Sequence, residues 1–265
     1  MQLSAIMTPD PVTIGGGASL DEAIELMEEH GLRHLPVLER DVLAGLVCDR
    51  DLLAATGWLP ARVHEARGAT CPSRVREVLR TPVLTAGPDE RLTDPQVEGA
   101  LRSVGCVPVA EGGRLLGTVS DFDVLRAYLA RAPEERAGEP RVADLMTGAP
   151  ETLGWDATLD EAIALCRSRG VRHVPVLQGA HLVGVLSDRD LRRAHGAGRP
   201  PAKPVDEILT WDVRTIEPAA PLGAAARKLL EHGISSLPVT EDEILVGMLT
   251  VSDLLDPCLR ALERA

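Results

Sequence analysis

Apolar and polar positions along the chain recur in blocks. SLDEAIELMEEHG, from Ser19, sets Leu20, Ala23, Ile24 and Met27 at helical spacing, opens on Ser19 and Glu22 in capping-box spacing, and stops at Gly31. TLDEAIALCRSRG repeats the pattern with Thr158, Glu161 and Gly170. HLPVL and VLAGLV then follow as short apolar runs around the polar ERD, which predicts a hairpin. The proline in the first run is expected at a strand start, where no ladder donor is required. Four times the second run ends in polar residues: AGLVCDRDL from Ala44, LGTVSDFDVL from Leu116, VGVLSDRDL from Val183 and VGMLTVSDLL from Val246. The predicted unit is a short extended lead-in, then helix, strand, strand, helix.

Spacing shows that these blocks are copies. Pro36, Pro108, Pro175 and Pro238 each sit in an apolar-Pro-Val step, with Gly45, Gly117, Gly184 and Gly247 nine residues on and Asp51, Asp123, Asp190 and Asp253 fifteen residues on. Copies one and three also match at an offset of 139: IMT with LMT, RHLPV with RHVPV, DRDL with DRDL. The duplication is therefore of pairs. Joins are read at 56–73, 131–140 and 196–204, where Pro, Gly and charge concentrate. The expected repeats are 1–57, 74–132, 139–196 and 203–265, grouped as 1–132 and 139–265.

The chain has 265 residues, enough to bury a substantial core, and a net charge of -12, which opposes general attraction to nucleic acid or an anionic membrane. Any phosphate must be met by a local basic group. Few aromatic residues leave little for base stacking. Cys48, Cys71, Cys106, Cys166 and Cys258 are scattered, which suggests neither a disulfide framework nor a metal site and fits a reduced cytoplasm. No apolar run approaches the roughly 20 residues of a membrane span, and MQLSAIMTPD is unlike a secretory signal. A cytoplasmic protein with no nucleic-acid or membrane partner is expected.

Four lead-ins, each followed by x-x-P-V, a hairpin and G-h-h-[S/T]-x-x-D, resemble the cystathionine β-synthase (CBS) domain, whose repeats pair into Bateman modules. The likeness runs from about Leu3 to Leu259. It implies an α/β fold in which each repeat has a three-stranded sheet and two helices, and two repeats pack about a pseudo-twofold axis with two clefts per pair. Many such clefts bind adenosine nucleotides, the motif aspartate holding the ribose. The resemblance assigns that role to Asp51, Asp123, Asp190 and Asp253, with Ser120, Ser187 and Thr250 beside the last three; Cys48 departs from the motif.

Chemistry supports the same positions, since one carboxylate can accept both adjacent ribose hydroxyls. S-x-x-D is equally a capping box, and the two readings are compatible, because a capped helix N-terminus favours an anion. Phosphate is assigned to Arg33 and His34 in repeat one and Arg172 and His173 in repeat three; repeats two and four have Gly105-Cys106 and Ser235-Ser236 instead. Arg50 and Arg189 are second-line phosphate candidates that fit a solvated face better. The base is expected against Val12, Ile14 and Val37 or Val176, with Thr13 and Thr152 as contacts only by analogy; by default the valines are core residues.

No catalytic constellation and no metal cluster appears in the sequence, so no enzyme activity and no cofactor are expected. The leading expectation is a regulatory sensor that binds AMP, ADP or ATP as a regulatory ligand and passes occupancy to an unknown regulated protein. The alternatives are an interaction scaffold with vestigial clefts, or a sensor of S-adenosylmethionine, NAD or a cyclic dinucleotide. Modules of this family stack into discs of four repeats, which can close within one chain or between two; a homodimer is the expected assembly.

Overall fold

The computed structural model describes residues 1–55, 72–132, 136, 138–196 and 198–263. The join read at 56–73 lies largely outside them, as do Cys71 and parts of the joins at 131–140 and 196–204.

Every repeat keeps the predicted helix, strand, strand, helix, and each adds a short helical turn within the lead-in. Repeat one has lead-in strands β1 (Thr8–Pro9) and β2 (Ile14–Gly15), helix Leu20–Glu29, β3 (His34–Glu39), β4 (Val42–Cys48) and helix Asp49–Ala55. Repeat two has helices Val75–Val78 and Pro95–Val104, β5 (Cys106–Glu111), β6 (Arg114–Ser120) and helix Asp121–Leu129. Repeat three has helix Val142–Leu145, β7 (Thr147–Gly148), β8 (Leu153–Gly154), helix Leu159–Arg169, β9 (His173–Gln178), β10 (His181–Ser187) and helix Asp188–Gly196. Repeat four has the 3-10 turn Val205–Ile208, helix Leu222–His232, β11 (Ser236–Glu241), β12 (Ile244–Thr250) and helix Val251–Glu263.

Local chemistry sets these boundaries. Glu22 N–H donates to Ser19 Oγ at 3.1 Å, and Ser19 N–H donates to Glu22 Oε2 at 2.6 Å, so two otherwise orphaned donors are satisfied where the first long helix begins. The helix Leu159–Arg169 ends on Gly170, whose φ of 66° is left-handed and suits a residue without Cβ. Burial then follows the helical stripe. Leu20, Ala23 and Met27 pack with Leu35, Val37, Val47 and Leu52 in repeat one, and Leu159, Ala162, Ile163 and Cys166 pack with Val174, Val176, Leu186 and Leu191 in repeat three.

The proline of the first strand is not at its start. Pro36, Pro108, Pro175 and Pro238 are each third in their strands, paired with Leu46, Thr118, Val185 and Met248. They are tolerated because the missing N–H would face the lead-in, whose ladder begins with the proline carbonyl: Ala86 N–H donates to Pro108 O at 3.1 Å, and Ile216 N–H to Pro238 O at 3.0 Å.

Lead-ins also cross between repeats. β1 pairs with β6 of repeat two, Thr8 opposite Thr118, and β7 pairs with β12 of repeat four, Thr147 opposite Met248. Reciprocally, Arg80 of repeat two bridges Leu46 in β4, and Thr210 of repeat four bridges Val185 in β10. This exchange explains the recurring glycine. A Cβ on Gly117 would lie 2.8 Å from the Thr8 carbonyl oxygen, and one on Gly45 2.5 Å from that of Arg80, so only glycine admits the crossing backbone. The described residues divide into two compact units, one taking those before 139 with those from 254 on, the other those of 139–253.

Candidate functional site

In each repeat the start of the first strand and the end of the second lie opposite one another at the open end of the hairpin, which is where the ribose and phosphate residues are expected. His34 faces Cys48, Cys106 faces Ser120, His173 faces Ser187 and Ser236 faces Thr250. The residue before the strand then accepts the first N–H of the following helix: Asp49 to Arg33 O at 2.9 Å, Asp121 to Gly105 O at 3.1 Å, Asp188 to Arg172 O at 2.8 Å and Val251 to Ser235 O at 3.0 Å. Arg172, His173, Ser187 and Asp190 are thereby assembled at one place, and so are Arg33, His34, Cys48 and Asp51.

The motif aspartates of repeats two, three and four cap, each through one oxygen. Asp190 Oδ2 accepts from Ser187 N–H at 3.0 Å and Oγ–H at 2.5 Å, and Asp190 N–H donates back to Ser187 Oγ at 3.2 Å. Asp123 Oδ2 accepts from Ser120 N–H and Oγ–H at 2.8 and 2.6 Å, and Asp253 Oδ2 from Thr250 N–H and Oγ1–H at 2.7 Å each. A carboxylate offers about four lone-pair sites, so a cap confined to Oδ2 is compatible with a second acceptor role at Oδ1. Cys48 keeps the pattern despite its departure from the motif: its Sγ donates to Asp51 Oδ2 at 2.8 Å. Burial and the neighbouring Asp51 carboxylate push that thiol up to about 12, so it stays a protonated donor.

Beyond the cap the four sites differ. Asp51 and Asp123 are buried, at 5% and 3% exposure, whereas Asp190 and Asp253 are half-buried. Asp51 receives a fork from Arg80, Nε to Oδ2 at 2.5 Å and Nη2 to Oδ1 at 2.7 Å. Asp123 Oδ1 accepts from Thr8 Oγ1 at 3.1 Å and Arg126 Nη1 at 2.6 Å. Sequence reasoning missed Arg80 and Thr8, because both arrive from the lead-in of the other repeat in the pair. The signal was present in the aligned lead-ins: Thr8, Thr147 and Thr210 follow Met7, Met146 and Leu209, whereas Arg80 follows Leu79.

Around the predicted phosphate residues of the first unit, charge is largely matched. Arg33 Nη1 lies 3.5 Å from Asp121 Oδ2, while its Nε is buried without a hydrogen-bond partner. His34 Nε2–H donates to the Val104 carbonyl at 2.7 Å, and the ring packs on Gly105. Desolvation lowers the His34 pKa, outweighing the Asp49 and Asp121 carboxylates, so at neutral pH it is an uncharged hydrogen-bond donor to the backbone. In the second unit Asp188 corresponds to Asp49, but Val251 stands where repeat two has Asp121.

The predicted base wall is less open than expected. Val37 and Val176 are fully buried in their repeat cores and offer no surface for stacking; Val12 and Ile14 are partly exposed, Thr13 is half-buried and Thr152 is exposed. A separate cavity of about 820 Å³ in the second unit is lined by Trp211, Val213 and Thr215 with Glu217, Glu241, Asp242 and Glu243, among others. None of the sequence-predicted site residues lines it, and its carboxylates do not suit phosphate. No helix among the described residues is long and apolar enough to cross a membrane.

Comparison with known proteins places this geometry in a family. Protein MJ1225 from Methanocaldococcus jannaschii matches in structure with a TM-score of 0.74 at 20% identity, over 97% of this chain and 99% of that one. The CBS domain-containing protein YhcV of Bacillus subtilis is 32% identical over 114 residues, 43% of this chain and 81% of YhcV. A homoserine O-acetyltransferase of Methanococcoides burtonii is 31% identical over 115 residues, but that match takes in only 23% of the enzyme's length. The CBS domain model matches four times, at residues 3–57, 75–130, 142–196 and 205–259. The chain therefore belongs to the CBS domain family, as an α/β protein of four CBS repeats.

Proposed function

We propose that this protein is a regulatory sensor whose ligand is an adenosine nucleotide, bound at the open hairpin end of repeat three and signalled to a partner protein. The observation that carries the reading is the joint placement of Arg172, His173, Ser187 and Asp190 through strand pairing and the Asp188-to-Arg172 backbone bond. Asp190 is half-buried, its cap occupies Oδ2, and Oδ1 is assigned to the ribose hydroxyls. Arg172 and His173 are assigned to the phosphate, on the strand and lead residue that face Ser187 and Asp188. Asp123 and Asp253 are weaker sites, lacking a basic pair on their own strand. Signalling requires that the nucleotide bind two arrangements of the protein with different affinity. A homodimer is the proposed assembly.

The test is a thermal-shift series with AMP, ADP, ATP, S-adenosylmethionine and NAD. A ligand at 100 times its Kd stabilises the folded state by about 2.7 kcal/mol. The reading expects a clear rise in melting temperature with at least one of the three nucleotides. A rise with S-adenosylmethionine or NAD alone reassigns the ligand, and no rise with any of the five removes the sensor reading. A scaffold role is favoured for the Asp51 site in particular, whose carboxylate is already engaged.

A further inference from the structure

We propose that Arg80 is a built-in occupant of the Asp51 site, and that it excludes nucleotide from that site by taking both carboxylate oxygens a ribose would need. This rests on the reading of the motif aspartates as ribose acceptors. The Arg80 fork puts Nε on Oδ2 at 2.5 Å and Nη2 on Oδ1 at 2.7 Å, and Cys48 Sγ adds a third donor to Oδ2 at 2.8 Å. Asp190, by contrast, gives Oδ2 to its cap.

Arg80 is held in place from behind. Its N–H donates to Leu46 O at 2.8 Å and its carbonyl accepts from Leu46 N–H at 3.3 Å, so the side chain departs from backbone fixed against β4. The recurring Gly45 permits that approach. At the same place in the other lead-ins stand Thr8, Thr147 and Thr210. Thr8 shows what the shorter residue does: one hydroxyl donates to Asp123 Oδ1 at 3.1 Å. An arginine supplies instead a bidentate pair in which the donor as well as the acceptor is charged, to a carboxylate only 5% exposed. Ribose hydroxyls cannot displace it on equal terms. Cys48, in place of Ser or Thr, and Arg80, in place of Thr, both fall on one carboxylate.

The experiment measures AMP stoichiometry per chain by calorimetry for the parent, Asp51→Asn and Arg80→Thr, with a melting curve for each. The proposal expects Asp51→Asn to bind as many AMP molecules as the parent and Arg80→Thr to bind one more, with Arg80→Thr/Asp51→Asn losing the added one. A fall by one in Asp51→Asn, or no gain in Arg80→Thr, overturns it; the former would make Arg80 a phosphate ligand in place of a plug. Should Arg80→Thr fail to fold, Arg80→Gln, which removes the charge and the guanidinium fork but keeps the aliphatic stem, takes its place under the same criteria. Repeating Arg80→Thr in an Asp190→Ala background separates the two claims. The added site must appear there even if the parent's own binding is absent or insensitive to Asp190.

Discussion

His34 gives its Nε2–H to the Val104 carbonyl and packs on Gly105, with Arg33, Asp49 and Asp121 as its charged neighbours. Burial lowers its pKa in the folded protein below the ordinary 6.5. Below that pH the unfolded chain takes up a proton that the folded protein refuses, so stability is fully present above 6.5 and declines as pH falls beneath it. His34→Gln keeps an N–H donor and removes the titration. The parent's melting temperature is therefore expected to fall more steeply than the variant's between pH 7 and pH 5; parallel curves would show that His34 does not titrate with unfolding. Single residues were legible where their partners were near in sequence. Ser187 and Asp190 could be paired from their spacing, because a cap is closed within one turn. Arg80 could not, since its carboxylate lies 29 residues away and is reached only through a lead-in that crosses to the other repeat. The full burial of Val37 and Val176 agrees with their reading as core residues, which strand periodicity supports, and leaves the base wall without them.

Among the elements, the hairpins were read correctly from two apolar runs and a polar break, but the strain in their turns was not. Arg40 and Asp41 have φ of 51° and 64°, and Asp242 and Glu243 have 49° and 64°, the left-handed pair of a two-residue hairpin turn. Repeat two has Gly112 and Gly113 there, at 58° and 82°. Side chains with Cβ are penalised in this region. Replacing Arg40-Asp41 with Asn-Gly is expected to stabilise the protein by about 1 kcal/mol, seen as a higher denaturant midpoint with unchanged slope. A midpoint at or below the parent's would refute the strain. Gly117→Val should act the other way, because its side chain must displace the Thr8 carbonyl and detach β1 from β6; overpacking of this kind costs about 1–3 kcal/mol. The prolines were misplaced for a related reason. Sequence shows that a ladder donor is missing but not which edge of the strand it faces, and here it faces a lead-in whose pairing starts at the proline carbonyl.

Across the molecule, four copies of one plan differ where charge meets the motif aspartate: a guanidinium fork at Asp51, a threonine and an arginine at Asp123, and half-buried carboxylates at Asp190 and Asp253. Recurrent spacing made the fourfold plan plain in the sequence, whereas the differences among the copies needed the crossing of lead-ins to be seen. Repeat three unites the hydroxyl, the acid and the basic pair, and the account stands or falls there. Calorimetric titration of AMP and ATP into the parent and into Asp190→Ala, with melting curves for both, decides it. Hydrogen bonds to a charged group are worth about 1.5–3 kcal/mol each, so the account predicts at least a roughly tenfold loss of affinity in Asp190→Ala, beyond whatever the lost cap does to melting. An Asp190→Ala protein that melts lower than the parent yet binds nucleotide as tightly would show Asp190 to be a helix cap alone, and would contradict it.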